Sequence, residues 1–221
     1  MSIVGIIPAR AGSKRLPGKN LALLGGRPLI AHTCDAAIAS GILDAVYVNT
    51  DCPEIAAAAE AAGVRAPVLR PEHLAADDTS LRDANLFLLD FLAGRAERYG
   101  AVLVLQPTSP LRSAEDIRAG VALYRKHAPC AVIGVTPVAP RSWMGTISHD
   151  GRFERWSGEE PAYLINGAFY MYRWEDYVDH WPPERTIAYS MPAARSVDVD
   201  RAEDLARAEF LLQQRLPVAS T

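Results

Sequence analysis

The opening twenty residues constrain this chain more than any other stretch. Ile3-Val4-Gly5-Ile6-Ile7-Pro8 is apolar almost throughout and runs directly into Ala9-Arg10-Ala11-Gly12-Ser13-Lys14-Arg15-Leu16-Pro17-Gly18-Lys19-Asn20. An unbroken apolar run of this length suits a strand buried on both faces, as strands of parallel sheets are. The loop that follows holds two glycines, a serine and four cations between Arg10 and Asn20. Glycine lets a backbone approach a ligand and turn its N–H groups toward phosphate oxygens, while Arg10, Lys14, Arg15 and Lys19 supply counter-charge. Ligands of open α/β sheets gather outside the carboxyl ends of the strands, so this position points to a polyphosphate rather than to a solvated basic turn. It is not a Walker A loop, because Ser13 stands five residues before Gly18 and Asn20 follows Lys19.

Beyond the loop the chain alternates. Pro28 to Ser40 is predicted as a helix with Ile30, Cys34, Ala37 and Ile38 on one face. Ala45 to Thr50 reads as a strand, Pro53 to Ala62 as a helix closed by Gly63, and Ala66 to Leu69 as a third short strand. Leu81, Ala84, Leu88, Phe91 and Leu92 mark the stripe of a long helix, and Ala101 to Leu105 a strand buried on both faces. Ser113 opens another helix with a capping-box pattern ending in Asp116, and Cys130 to Val135 supplies a further strand. This order implies an α/β fold: a mostly parallel sheet between two helical layers, joined by right-handed crossovers.

The rhythm breaks between Pro137 and Pro161, where prolines, Gly145, Gly151, Gly158, Trp143 and Trp156 accumulate. The stretch reads as an excursion from the sheet, either a hairpin that packs on another subunit or a surface loop. Ile165 to Tyr172 returns to strand, Trp174 to His180 forms a short helix, and Ala202 to Leu212 the last one.

Composition excludes several function classes. With 221 residues, 49% hydrophobic and 22% charged, the chain can bury a full core and is neither disordered nor fibrous. A net charge of −3 without a basic tail argues against a nucleic-acid partner. No apolar run approaches the roughly 20 residues needed to cross a bilayer, and Met1-Ser2 enters a strand without a leader, so no membrane partner and a cytoplasmic location are expected. Cys34, Cys52 and Cys130 lie far apart and read as small buried or semi-buried hydrophobes, and the five histidines show no ligand spacing.

Two further segments carry candidate chemistry. In Ser196-Val197-Asp198-Val199-Asp200 the aspartates are two apart, so in extended backbone both carboxylates face one way. Two hard oxygen donors opposite a phosphate suit magnesium; the alternative is that Asp200 caps the final helix. Leu105-Gln106-Pro107-Thr108-Ser109-Pro110-Leu111-Arg112 follows a central strand, where Gln106 offers a donor and an acceptor to a sugar hydroxyl or a base, or simply braces a turn. Asp51 is expected to cap the helix starting near Pro53, Asp77 and Asp78 to fix a turn, and Trp143 and Trp156 to pack within the excursion.

Together these residues resemble the acylneuraminate (CMP-sialic acid) cytidylyltransferases. The resemblance rests on the loop from Ile7 to Asn20 and, in the same order, on Asn49-Thr50-Asp51, Leu69-Arg70-Pro71, Leu74-Ala75-Ala76-Asp77, Leu105 to Arg112, Asn166-Gly167-Ala168-Phe169-Tyr170 and Asp198-Val199-Asp200. It implies one Rossmann-like, three-layer nucleotidyltransferase domain over residues 1–221, with a dimerisation excursion at about 137–164 and a homodimer. The implied reaction transfers CMP from CTP to the anomeric hydroxyl of an acidic sugar (sialic, legionaminic or a related nonulosonic acid) and releases pyrophosphate. By the same resemblance Arg10, Ser13, Lys14 and Lys19 hold the triphosphate within the loop that contains Gly12, and Asn20 and Arg70 fix the nucleotide. Gln106 and Asn166 contact the sugar, Asp198 and Asp200 hold magnesium, and Arg10, Lys19, Asp198 and Asp200 form the catalytic group.

Relatives that use sialic acid carry an Arg-Arg-Gln run and a lysine after a His-Pro pair in the dimerisation segment. Here it reads Pro140-Arg141-Ser142-Trp143-Met144-Gly145 and Ser157-Gly158-Glu159-Glu160-Pro161, which leaves Arg141, Arg152 or Arg155 as counter-charge for an acidic acceptor. The alternatives are a Kdo-type sugar-acid cytidylyltransferase and a non-catalytic nucleotide-binding regulatory protein.

Overall fold

In the computed structural model, which describes residues 1–128, 130–179, 183 and 185–214, the apolar opening run is strand β1 (Ile3–Pro8), buried along its whole length. Strands β4 (Ala45–Asn49) and β5 (Ala101–Val104) flank it in parallel, with Val4 opposite Ala45 and Val102. Between them the chain forms a two-residue ribbon, β2 (Leu23–Leu24) with β3 (Arg27–Pro28), and helices α1 (Leu29–Ser40), α2 (Pro53–Ala61) and α3 (Leu81–Gly94). The expected strand at Ala66 to Leu69 is absent: Arg65 and Leu69 make only isolated bridges, to Tyr47 and Thr50.

Helix α4 (Ala114–His127) begins with the expected capping box, in which the Ser113 hydroxyl accepts from the Asp116 amide and Asp116 accepts from the Ser113 amide. It leads into β6 (Ala131–Pro140), a short β7 (Gly145–Ile147) and β8 (Phe153–Arg155) hairpin, and the long return strand β9 (Pro161–Arg173). Helix α5 (Trp174–Val178), strand β10 (Thr186–Ser190) and helix α6 (Ala202–Gln213) complete the chain. His180, the expected end of the short helix, lies outside the described residues.

The sheet runs in the order β10-β6-β9-β5-β1-β4. Five strands point one way and β9 is inserted antiparallel between β5 and β6. Successive residues of β1 and β5 alternate between two cores: Ile3, Ile7 and Leu103 pack with α1, α2 and α4, whereas Val4, Ile6, Val102 and Val104 pack with α3 and α5. This is the α/β, mostly parallel, three-layer arrangement that the strand–helix order implies. Of the four residues expected on the buried face of α1, Ile30, Cys34 and Ala37 are buried and Ile38 is half exposed. The three thiols are unpaired, and burial pushes that of Cys34 up to about 12, in keeping with packing roles.

A third, smaller core joins Leu24, Leu29 and Leu111 to Val197, Val199 and Ala208. Burying each valine side chain contributes roughly 1.5–3 kcal/mol, enough to fix the segment that carries the two aspartates. The far halves of β6 and β9 leave the core altogether: from Pro137 to Pro140 and from Pro161 to Ile165 the residues are exposed or only half buried. With the β7–β8 hairpin they form an arm. Trp143, expected to pack inside this excursion, is instead 75% exposed, whereas Trp156 is more covered and lies beneath the Arg141 guanidinium.

Candidate active site

A cleft of about 590 Å³ opens at the carboxyl ends of β1, β4 and β5. Its walls include Arg10, Ser13, Lys14, Arg15, Lys19 and Asn20 from the first loop, Arg70 after β4, and Gln106, Pro107 and Thr108 after β5. Asp200 joins them from near the far end of the chain. The loop ends at Gly18, whose left-handed φ of 66° turns the chain into a single 3-10 turn over Lys19–Leu21. Asn20 is buried and its side-chain amide donates to the Arg10 carbonyl at 2.9 Å, closing the loop on itself. Gly12 is not brought to the cleft wall: it is exposed and outside the left-handed region, so its place on the loop does not depend on glycine's freedom.

The Asp198–Asp200 segment alternates as its sequence suggests. Val197 and Val199 turn into the third core, the Val199 amide donates to the Thr108 carbonyl at 2.7 Å, and the carboxylates face the other way. Asp200 does not cap α6. Asp204 accepts from the Asp200 and Arg201 amides instead, which leaves the Asp200 carboxylate to bridge Lys19 Nζ and Arg15 Nη1, each at 2.7 Å. The Lys19 hydrogen bond above all, then the Lys19 and Arg15 charges, holds the Asp200 carboxyl below its ordinary range. Asp198 is exposed and, unlike Asp200, is not among the residues lining the cleft; desolvation of its carboxyl and the Asp200 charge push its pKa up. No cluster of three or more His, Cys, Asp and Glu side chains fit to hold a metal occurs among the described residues. Magnesium binds through as few as one or two carboxylates, and Asp198 and Asp200 offer two, although both Asp200 oxygens are held here by Arg15 and Lys19.

Arg70 is almost fully buried, with its amide on the Thr50 carbonyl and a guanidinium nitrogen 3.5 Å from Asp51. Burial pulls its pKa down and the Asp51 charge opposes the shift. Its buried Nε has no partner in the structure, which leaves a donor for a ligand. Asp51 does not cap α2, as its sequence position suggests. Its carboxylate accepts from the Ala11 amide at 3.1 Å, so it ties the first loop to Arg70. Asp77 likewise does more than fix a turn, pairing with Arg10 at 3.0 Å and Lys14 at 2.5 Å.

Of the two sugar-contact candidates only Gln106 lines the cleft. Asn166 is 2% exposed, with its amide nitrogen on Met191 Sδ and Ser196 Oγ and its oxygen on the Ala168 amide. Its side chain is engaged within the protein and does not line the cleft. Gly167, at φ 71°, passes so close to Gln106 that a Cβ would stand 2.7 Å from Oε1. Behind this loop the wholly buried Arg112 donates to the Gln106 and Ala168 carbonyls and to Thr33 Oγ1, and its burial lowers its pKa to about 10. Asp116, besides capping α4, receives Arg195 through two bonds of 2.9 Å and the Tyr189 hydroxyl at 3.0 Å, anchoring the turn that precedes the aspartates. Sequence reading passed over both supports: nothing local distinguishes Arg112 or Arg195 from a surface arginine.

Residues 4–142 match the cytidylyltransferase family. Over 96% of its length the chain is 36% identical to the CMP-N,N'-diacetyllegionaminic acid synthase of Legionella pneumophila, covering 97% of that protein. The chain belongs to the acylneuraminate cytidylyltransferase family. A second member, the N-acylneuraminate cytidylyltransferase of Streptococcus agalactiae, is 34% identical over 92% of this chain, which spans about half of that longer protein. The fold is also that of CMP:2-keto-3-deoxy-manno-octonic acid synthetase, solved with CTP, at a TM-score of 0.75, with 21% identity, 98% of this chain and all of that one covered. Membership accounts for the order of the motifs around the cleft. No helix among the described residues is long and apolar enough to cross a membrane.

Proposed function

We propose that this cytidylyltransferase transfers CMP from CTP to the anomeric hydroxyl of a nonulosonic acid of the sialic or legionaminic type and releases pyrophosphate. One observation carries the reading: Lys19 and Arg15, from the first loop, meet Asp200 across more than 180 residues of chain at the mouth of one cleft. Attack of the hydroxyl forms a bond to the α-phosphorus, breaks its bond to the bridging oxygen of the pyrophosphate, and gives up the hydroxyl proton. Anionic oxygens crowd that centre, so cations placed beforehand are the main catalytic need.

Arg10, Ser13, Lys14 and Lys19 are assigned to the triphosphate, Asn20 holds the loop that presents them, and Arg70 offers its unpaired Nε to the nucleotide. Gln106 is assigned to the sugar. Asp198 and Asp200 would hold magnesium, which when bound supplies neutralising charge to the phosphates. Asn166 is reassigned as a brace for Ser196 and the aspartate segment. A homodimer formed through the arm is supported by Trp143, Ile147, Phe153 and Leu164, large apolar side chains left exposed there.

The test is pyrophosphate release from purified protein with CTP, magnesium and a panel of sialic, legionaminic, pseudaminic and Kdo-type acids. Release with a nonulosonic acid is expected. Folded protein that binds CTP but turns over none of them overturns the assignment, and release with the Kdo-type acid alone moves it to the neighbouring activity.

A further inference from the structure

The four cations of the first loop are held in two pairs, each bridged by one carboxylate. Asp200 takes Lys19 on Oδ1 and Arg15 on Oδ2. Asp77 takes Arg10 on Oδ1 and Lys14 on Oδ2. The second bridge has no place in the metal site, yet Asp77 lines the same cleft. It belongs to a loop closed by the Thr79 amide on the Ala76 carbonyl and by the Thr79 hydroxyl on the His73 carbonyl. Two oxygens of one anion, each accepting from a different cation, reproduce the way two oxygens of a phosphate would sit there.

From this arrangement we infer that Asp77 is a built-in competitor for the polyphosphate: it occupies Arg10 and Lys14 in the free protein, yields them to CTP, and reclaims them as pyrophosphate leaves. The inference rests on the reading that the cleft takes CTP. Arg10 is suited to such an exchange because its two terminal nitrogens have separate partners. Nη1 donates to the Ala75 and Ala76 carbonyls at 3.3 and 3.1 Å, whereas Nη2 alone faces Asp77. Losing Asp77 therefore frees Nη2 while backbone keeps the guanidinium in place. Lys14 is largely exposed, so its pair is weak enough to exchange, unlike that of the mostly buried Lys19. The Lys14 hydrogen bond, followed by the Lys14 and Arg10 charges, holds the Asp77 carboxyl below its ordinary range despite some desolvation, so it competes as an anion throughout the neutral range.

A positioning role and a competing role predict opposite signs when the charge is removed. Pyrophosphate and CTP would be titrated calorimetrically, without sugar acid and at one fixed magnesium concentration, into wild type, Asp77→Asn and Asp90→Asn. Asp90 is exposed on α3 outside the cleft lining and controls for net charge. Asp77→Asn is expected to bind pyrophosphate roughly three- to tenfold more tightly than wild type, the gain shrinking as salt is added, and Asp90→Asn to stay within about twofold. Unchanged or weaker binding by Asp77→Asn, or an equal gain in Asp90→Asn, overturns the competitor role and leaves the transferase reading standing. A folded wild type that binds neither anion overturns both.

Discussion

In the cleft, Arg10, Lys14, Arg15, Lys19 and Arg70 each face a carboxylate of the same chain, whereas the arm leaves Trp143, Ile147, Phe153 and Leu164 facing solvent. The two regions meet opposite needs with one sheet. The cleft's cations are kept ordered by internal anions, which on the competitor reading must be exchanged for the ligand's phosphates. The arm carries apolar area that its own chain does not cover, and a second copy is the complement proposed for it.

The contrast is most open to attack at the arm. Replacing Trp143 and Ile147 together by Glu is expected to turn a dimer into a monomer in sedimentation velocity, raising the dissociation constant by roughly three orders of magnitude while CTP binding stays unchanged. A monomeric wild type would break that half of the comparison. In the cleft, Asp200→Ala is expected to lower kcat on the order of 10²–10³-fold at saturating magnesium, since it removes a proposed metal ligand and leaves Lys19 unbalanced. Turnover within a few-fold of wild type would remove Asp200 from the catalytic group.

A smaller effect is expected behind the cleft. Asp116 is 1% exposed, and Arg195→Ala should cost about 2–3 kcal/mol in urea unfolding at neutral pH. Burial pushes the Asp116 carboxyl up, but the Arg195, Ser113 and Tyr189 hydrogen bonds outweigh it and leave the net shift downward. A carboxyl lowered by folding adds stability above its unfolded pKa of about 3.9, and that stability is lost as pH falls through the folded value. The difference between wild type and Arg195→Ala should therefore shrink in acid. A difference that stays constant down to pH 3 would mean that the pair is not its source.

Much of the fold was legible because it is written in short-range periodicity. β1, β5, the helix starts at Pro28 and Ser113, and the turning of Val197 and Val199 away from the aspartates all follow from neighbours within a few residues. The strand expected at Ala66 to Leu69 failed for want of partners: an edge segment beyond β4 gains only two bridges. β10 and the antiparallel insertion of β9 were missed because pairing partners are a property of the sheet rather than of the segment. In the site, residue type singled out the cations and Asp200, which the fold brings to one cleft, and Asp198, which does not line it. It did not show that the Asn166 amide is engaged on Ser196 inside the protein, and it misread Asp51 and Asp77, whose local turn roles were the simpler reading.

By itself the sequence determined the alternation of strands and helices, the phosphate-type loop after the first strand and the chemical class of the residues around it, since backbone preference and side-chain type act over a few residues. Only the tertiary structure decided which charges meet. Lys19 with Asp200 and Arg195 with Asp116 lie 181 and 79 residues apart, and they are joined because the sheet gathers its carboxyl ends on one edge and the third core presses Val197 and Val199 beneath it.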